Sequence, residues 1–271
     1  MGDLATIIGL VMAIISVGVA MVLKGAKLEV LVNPAAFLII FAGTLAVLFV
    51  AFPLRQMQYF PQLLKIAFLG RSFPDRCDLI RQLVGYATMV RREGLLSLDR
   101  EIDTTEDPFL KKAMILITSS SSTEDLERIL EADLEAMKER HRVGASMFSQ
   151  AGTYAPTLGV LGAVVGLIAA LGNLNDIEKL GHSIAAAFVA TLMGIFTGYV
   201  VWHPLANKMK NFSRIEVELK ELALVGFCCI QRGDNAIMIE QELLAHLSES
   251  EAAHYHEQKE VPVHVEEATA S

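Results

Sequence analysis

Four apolar blocks dominate the chain: Leu4–Leu23, Ala35–Phe52, Ala151–Leu171 and Ile184–Trp202. A helix rises about 1.5 Å per residue, so roughly 20 such residues cross the hydrocarbon core of a bilayer. None of the blocks contains Asp, Glu, Lys or Arg. Lys24 closes the first. Asn33-Pro34 opens the second, with an N-cap side chain followed by proline at the first helical position. The pattern predicts an all-α membrane protein, with four transmembrane helices and a helical cytoplasmic domain between spans two and three.

The connections are unequal. Short segments join span one to two and span three to four, whereas 53–150 and 203–271 are long and polar. The expected division is 1–53 for spans one and two, 54–150 for a cytoplasmic helical domain and 151–206 for spans three and four. A helical region (207–247) and a disordered tail (248–271) follow. An even number of spans puts both termini on one side. Arg55, Lys65, Lys138, Arg140, Arg142, Lys208, Lys210 and Arg214 flank the long segments, against Lys24, Lys27 and Lys179 in the short ones. The positive-inside rule therefore makes the long segments cytoplasmic. Met1-Gly2-Asp3 lacks a basic n-region, and the first block is too long for a signal h-region, so it is expected to stay as an anchor.

Within the long segments the period is helical. Leu79, Leu83, Tyr86, Ala87 and Val90 form a stripe after Pro74-Asp75, interrupted at Gly94. Asp107-Pro108 predicts a capped helix over Phe109 to Ile117. Ser122 with Asp125 makes a capping box ahead of Leu126, Ile129 and Leu130. From there to Gln150 charges of alternating sign predict a solvated helix running on into span three, and Ile215 to Ile230 is again amphipathic. There is no strand pattern of weight.

Composition agrees with the blocks: 53% of the 271 residues are hydrophobic, above the 45–50% usual for a soluble domain. The formal net charge of -8 argues against a nucleic-acid partner, which needs a basic surface. Cys77, Cys228 and Cys229 have no pairing or ligand spacing and read as buried, reduced thiols. His254 and His256 read as tail residues rather than ligands, and no metal or cofactor is implied. No nucleophile–base set or glycine-rich phosphate loop marks an enzyme.

Spans three and four differ from the first two. Span four carries Ala186, Ala190, Gly194 and Gly198 at four-residue spacing, and span three carries Ala155, Gly159, Gly162, Ala163 and Gly166. Small residues so spaced let helix backbones approach closely. They either pack spans three and four on each other or line an interface with other chains, and the second is the preferred expectation. The few polar side chains within (Thr153, Tyr154, Thr157, Thr191, Thr197, Tyr199) are expected to bond back to helix carbonyls. Pro156, and Pro204 just past span four, each free a carbonyl. Moving an ion across a bilayer needs a group that binds and releases it. With no acid or base in any span, this chain cannot hold a complete relay. Either it does not transport, or a partner supplies the carboxylate.

Several blocks then closely resemble the MotA family of bacterial flagellar motor stator subunits. They are Lys24-Gly25 with Asn33-Pro34-Ala35-Ala36; Arg91 to Leu98; Gln150 to Leu167; Ala186 to Tyr199; and Trp202-His203-Pro204-Leu205-Ala206. The similarity runs in order from about Leu4 to Leu247. The resemblance implies a ring of copies, a pentamer, around a MotB dimer whose membrane aspartate is the group missing here. It implies torque on the rotor protein FliG and a place in the bacterial inner membrane, in contact with lipid. By position it implies rotor contacts at Arg91, Arg92, Asp99 and Asp133, with Asp99 standing where the family usually has glutamate. Pro156 and Pro204 match prolines linked to coupling, and Thr191 a hydroxyl near the partner aspartate. Ala163 stands where sodium-driven relatives tend to have threonine, and so favours protons. Two rivals share parts of this pattern. An ExbB/TolQ-like energiser typically has three spans and the opposite N-terminal orientation; a passive membrane scaffold would use the same ridges and charges.

Overall fold

The computed structural model describes residues 4–26, 28–119 and 121–260; among them every regular element is a helix. Met1-Gly2-Asp3, Lys27 and the tail beyond residue 260 lie outside the described residues. Four helices are long and apolar enough to cross a membrane: Leu4–Leu23, Leu28–Ala51, Thr123–Leu171 and Ile177–Arg232. The chain forms two compact units, Met1–Arg71 with Glu139–Ser213, and Ser72–Lys138 with Arg214–Ser271.

The first unit is the apolar one. Span one buries none of its residues within the chain. Span two starts as expected, because Asn33 Oδ1 accepts from the amides of Ala35 and Ala36 at 3.1 and 3.2 Å. It is not uniform: Leu38–Ala42 is π-helical between α-helical Pro34–Phe37 and Gly43–Ala51. Residues 54–71 and 139–150 belong to this unit. The reason is packing, since Met57, Phe60 and Ala67 bury against Leu48, Phe148, Ala151 and Leu205 in one apolar cluster. Each such fully buried large side chain contributes roughly 1.5–3 kcal/mol.

Span three is the last part of the 49-residue helix Thr123–Leu171, which runs unbroken through Pro156. The segment to span four is shorter than expected. Asp176 accepts from the Lys179 amide at 3.1 Å and starts the next helix at Ile177, so Glu178, Lys179 and His182 ride its first turns. Span four also has no break at His203. The α-helix Ile177–Phe196 passes through π-helical Thr197–Trp202 into His203–Arg232. Pro204 lies inside this helix, and the π segment just before it is the physical reason. A proline in a regular helix clashes with the carbonyl four residues back; the wider π turn, with the His203 amide on the Gly198 carbonyl, relieves that crowding.

The second unit is a helical cluster around Ile80, Leu83, Leu98, Met114, Ile117, Leu126, Leu130, Phe227 and Ile239. The expected caps hold. Asp107 accepts from the Phe109 amide at 2.8 Å, and Ser122 Oγ from the Asp125 amide at 3.1 Å. The expected disordered tail does not begin at 248: Glu249–Glu260 is a helix, with Tyr255 only 3% exposed. Low apolar content misled there, because one aromatic side chain docks the segment. Cys77, Cys228 and Cys229 are free and buried. Burial pushes the Cys228 thiol up to about 11, and burial with the Glu242 carboxylate pushes Cys229 up to about 12.

Candidate functional site

Spans three and four meet along a seam with almost no side chains in it. A Cβ on Gly159 would stand 2.8 Å from the Ala190 carbonyl oxygen. One on Gly194 would stand 2.7 Å from the Ala155 carbonyl oxygen, and those on Gly162 and Gly166 would stand 3.0 Å from the Ala190 and Ala187 Cβ atoms. Backbones this close gain dispersion contacts that any larger residue would forfeit. The small residues are therefore used within the chain, the first of the two alternatives that their spacing left open. The row on span four is also Ala187, Ala190, Gly194 and Gly198, one residue off at its start from the strict four-residue ridge. With 3.6 residues per turn, a strict four-residue row drifts off the contact line. Ala186 is half-buried beside the seam, and its carbonyl accepts from Asn33 Nδ2 at 3.4 Å.

The two prolines sit at the same end of the seam. A Cβ on Gly198 would meet both the Gly152 carbonyl oxygen and Pro156 Cγ at 2.7 Å. Gly152 is the residue whose carbonyl Pro156 leaves without a helical donor, so the missing side chain at Gly198 leaves that freed acceptor room. Gly152 also lies under the His203 imidazole, which sits 5.4 Å from the Tyr199 ring. His203 and Gly152 thus join the site, and no spacing rule singled them out. Pro204 lines a cleft of about 430 Å³ with Thr6, Tyr199 and Lys208, whose ammonium donates to Thr6 Oγ1 and the Ala67 carbonyl at 2.7 Å each.

The threonine hydroxyls of spans three and four bond back to their own helix as expected, whereas Tyr199 is exposed and Thr44 Oγ1 in span two is buried without a partner among the described residues. Thr191 Oγ1 donates to the Ala187 carbonyl at 3.3 Å, and Thr197 Oγ1 to that of Met193 at 2.8 Å. Thr153 and Thr157 do the same on an exposed face. Ala163 is half-buried, while Val160, Leu161, Val164, Val165, Ile168 and Leu171 beside it are exposed. The outcome is a closely packed helix pair whose exposed outer face, over the apolar blocks, carries no Asp, Glu, Lys or Arg.

The charged candidates lie in the second unit. Arg91 and Arg92 end the Arg76–Glu93 helix, which stops at Gly94 with φ 86°, its amide on the Val90 carbonyl at 2.8 Å. A 3₁₀ turn, Leu95–Leu98, follows, pinned by fully buried Leu98 and by Ser97 Oγ donating to the Gly94 carbonyl at 2.7 Å. Asp99 emerges from that turn. Local structure thus presents Arg91, Arg92 and Asp99, all exposed, around one corner. Asp133 belongs to another helix, half-buried and 2.7 Å from Lys112.

Two further clusters escaped the sequence reading. The Glu240 carboxylate, 7% exposed, accepts from Tyr255 Oη at 2.7 Å and from Lys259 Nζ at 2.6 Å. Burial alone would raise its pKa, but the Lys259 and Tyr255 hydrogen bonds outweigh that and hold it below the ordinary value. Cys229, Asp234 and Glu242 converge closely enough to hold a cation. Arg232 already lies there, 3.2 Å from Cys229 Sγ and 2.9 Å from Asp234, and supplies the positive charge.

The chain is similar to known proteins over most of its length. Residues 101–222 match the model of the MotA/TolQ/ExbB proton channel family. Motility protein A of Bacillus subtilis is 45% identical over 258 residues, covering 95% of this chain and 96% of that one. The structure of the flagellar MotAB stator complex from Bacillus subtilis superposes with a TM-score of 0.86 at 44% identity, covering 92% of this chain and 98% of that one. The structure of MotAB from C. jejuni gives the same TM-score at 30% identity, over 91% and 96%.

Proposed function

The chain belongs to the MotA/TolQ/ExbB proton channel family as a flagellar stator subunit, and from that premise we propose how its parts divide the work. Spans three and four form the wall of an ion path whose carboxylate is brought by a MotB partner. The observation that carries this is the outer face of the locked pair, which is exposed and free of ionisable side chains. A buried partner carboxylate facing such a wall has its pKa raised by desolvation, so it can take up and release a proton within a working pH range. Ala163 offers no oxygen to replace the hydration of sodium, which favours protons. Pro156, Pro204 and the π segment form the flexible end at which ion passage bends the pair, and Thr191 faces the partner's carboxylate.

Copies assemble as a ring, a pentamer, around the MotB dimer in the bacterial inner membrane, with both termini and the second unit cytoplasmic. Arg91, Arg92, Asp99 and Asp133 then meet the rotor protein FliG, steering encounter and register more than affinity. Restoring the gene together with its MotB partner to a non-motile deletion strain tests this. The reading predicts swimming that a protonophore stops and that sodium does not alter at constant proton-motive force. Swimming speed that follows sodium would overturn the proton assignment, and no rescue despite normal membrane levels would overturn the stator reading.

A further inference from the structure

We propose that the rotor-facing corner is one side of a socket for an apolar side chain of the rotor, with the turn after Arg232 as its other side. The inference rests on the reading that Arg91 faces the rotor. A cavity of about 190 Å³ lies between the end of the Arg76–Glu93 helix and the 230–234 turn. Its apolar lining is Ala87, Val90, Leu95 and Ile230, with Arg91 and Asp234 as its charged members. This is below the roughly 300–1,000 Å³ of small-molecule sites, and suits a single side chain.

The turns on both sides end at glycines in the left-handed region, Gly94 with φ 86° and Gly233 with φ 78°. Neither has any atom within 4 Å of an added Cβ, so both positions are open and let a partner backbone come close. The charges are of opposite sign and differently committed. Asp234 holds Arg232, whereas Arg91 makes no ion pair among the described residues. The complement is a helix carrying an apolar residue flanked by an acid toward Arg91. An anchor enclosed by a polar rim is the usual anatomy of an energetic hot spot.

Photo-crosslinking in motile cells, with full-length chain and its MotB partner, tests this. A benzophenone amino acid replaces Leu96, which is 68% exposed in the turn after Gly94, or Asp234. Rotor adducts from both positions support the socket. An adduct from position 96 without one from 234 overturns the socket and leaves the rotor reading standing. Absence of adducts from both overturns the two together. A second variant, Val90→Trp, fills the cavity from its wall. The socket predicts about a tenfold or larger loss of the position-234 adduct at unchanged membrane level. An undiminished adduct would also overturn it.

Discussion

Gly194 faces Gly159 across the span-three/span-four seam so closely that a Cβ on Gly194 would stand 2.7 Å from the Gly159 Cα. Neither partner can yield, since both surfaces are backbone. Gly194→Ala is therefore expected to destabilise the helix pair by about 1–3 kcal/mol, the usual cost of overpacking. Gly181→Ala, with nothing within 4 Å, serves as the helical control. Thermal unfolding of the purified complex in detergent, with membrane levels in cells, should separate the two. Equal melting of both variants would mean that the seam does not hold the pair.

Pro204 has no amide hydrogen, and the π segment Thr197–Trp202 accommodates it. Pro204→Ala restores a donor and removes the ring, which lets this stretch approach a regular α-helix. Stability should stay within about 1 kcal/mol or rise, amide exchange over Thr197–Trp202 should slow, and motility should fall because the flexible end is lost. Unchanged exchange there would show that the π turn has another cause.

The spans were legible because their signal is local. Length and apolarity fixed Leu4–Leu23 at both ends, and Asn33-Pro34 and Asp107-Pro108 each announced a helix start that hydrogen bonds then made. What was not legible depends on partners distant in the chain. Whether Gly159 served this chain or a neighbour rests on where span four lies, and the row at Ala187 rather than Ala186 is set by that crossing. The helix Glu249–Glu260 has little apolar periodicity; Tyr255 and Lys259 meeting Glu240, with Arg76 on Glu251 and Arg81 on Gln258, keep it docked. His203 looked like a boundary residue until Gly152 was found beneath its ring.

Glu240 ties the last helix to the second unit, and its chemistry sets a pH dependence. Its folded pKa is lowered, so the stabilisation is present above the ordinary value of 4.5 and is lost as pH falls from there through the folded value. Removing the carboxylate as Glu240→Ala leaves Tyr255 Oη and Lys259 Nζ without their acceptor, at about 1–3 kcal/mol. Limited proteolysis should show faster cleavage within 249–260 for the variant at pH 7, and for the natural chain only in acid. Equal protection in both at pH 7 would mean that Tyr255 packing and the Arg76 and Arg81 contacts hold the helix without Glu240.

Asp133 and Lys112 are about two-fifths exposed and 2.7 Å apart. A pair this open contributes only about 0–1 kcal/mol, so Asp133→Ala should melt within that range of the natural chain. Any large motility defect must then come from the rotor surface rather than from the fold. Arg91, exposed at its helix end, permits the sharper version. Arg91→Glu should leave melting unchanged and suppress swimming, and an opposite charge reversal on the rotor should restore it. Such rescue would require the two charges to meet. Swimming indifferent to both reversals would remove Arg91 from the interface, and the socket argued from it would go with it.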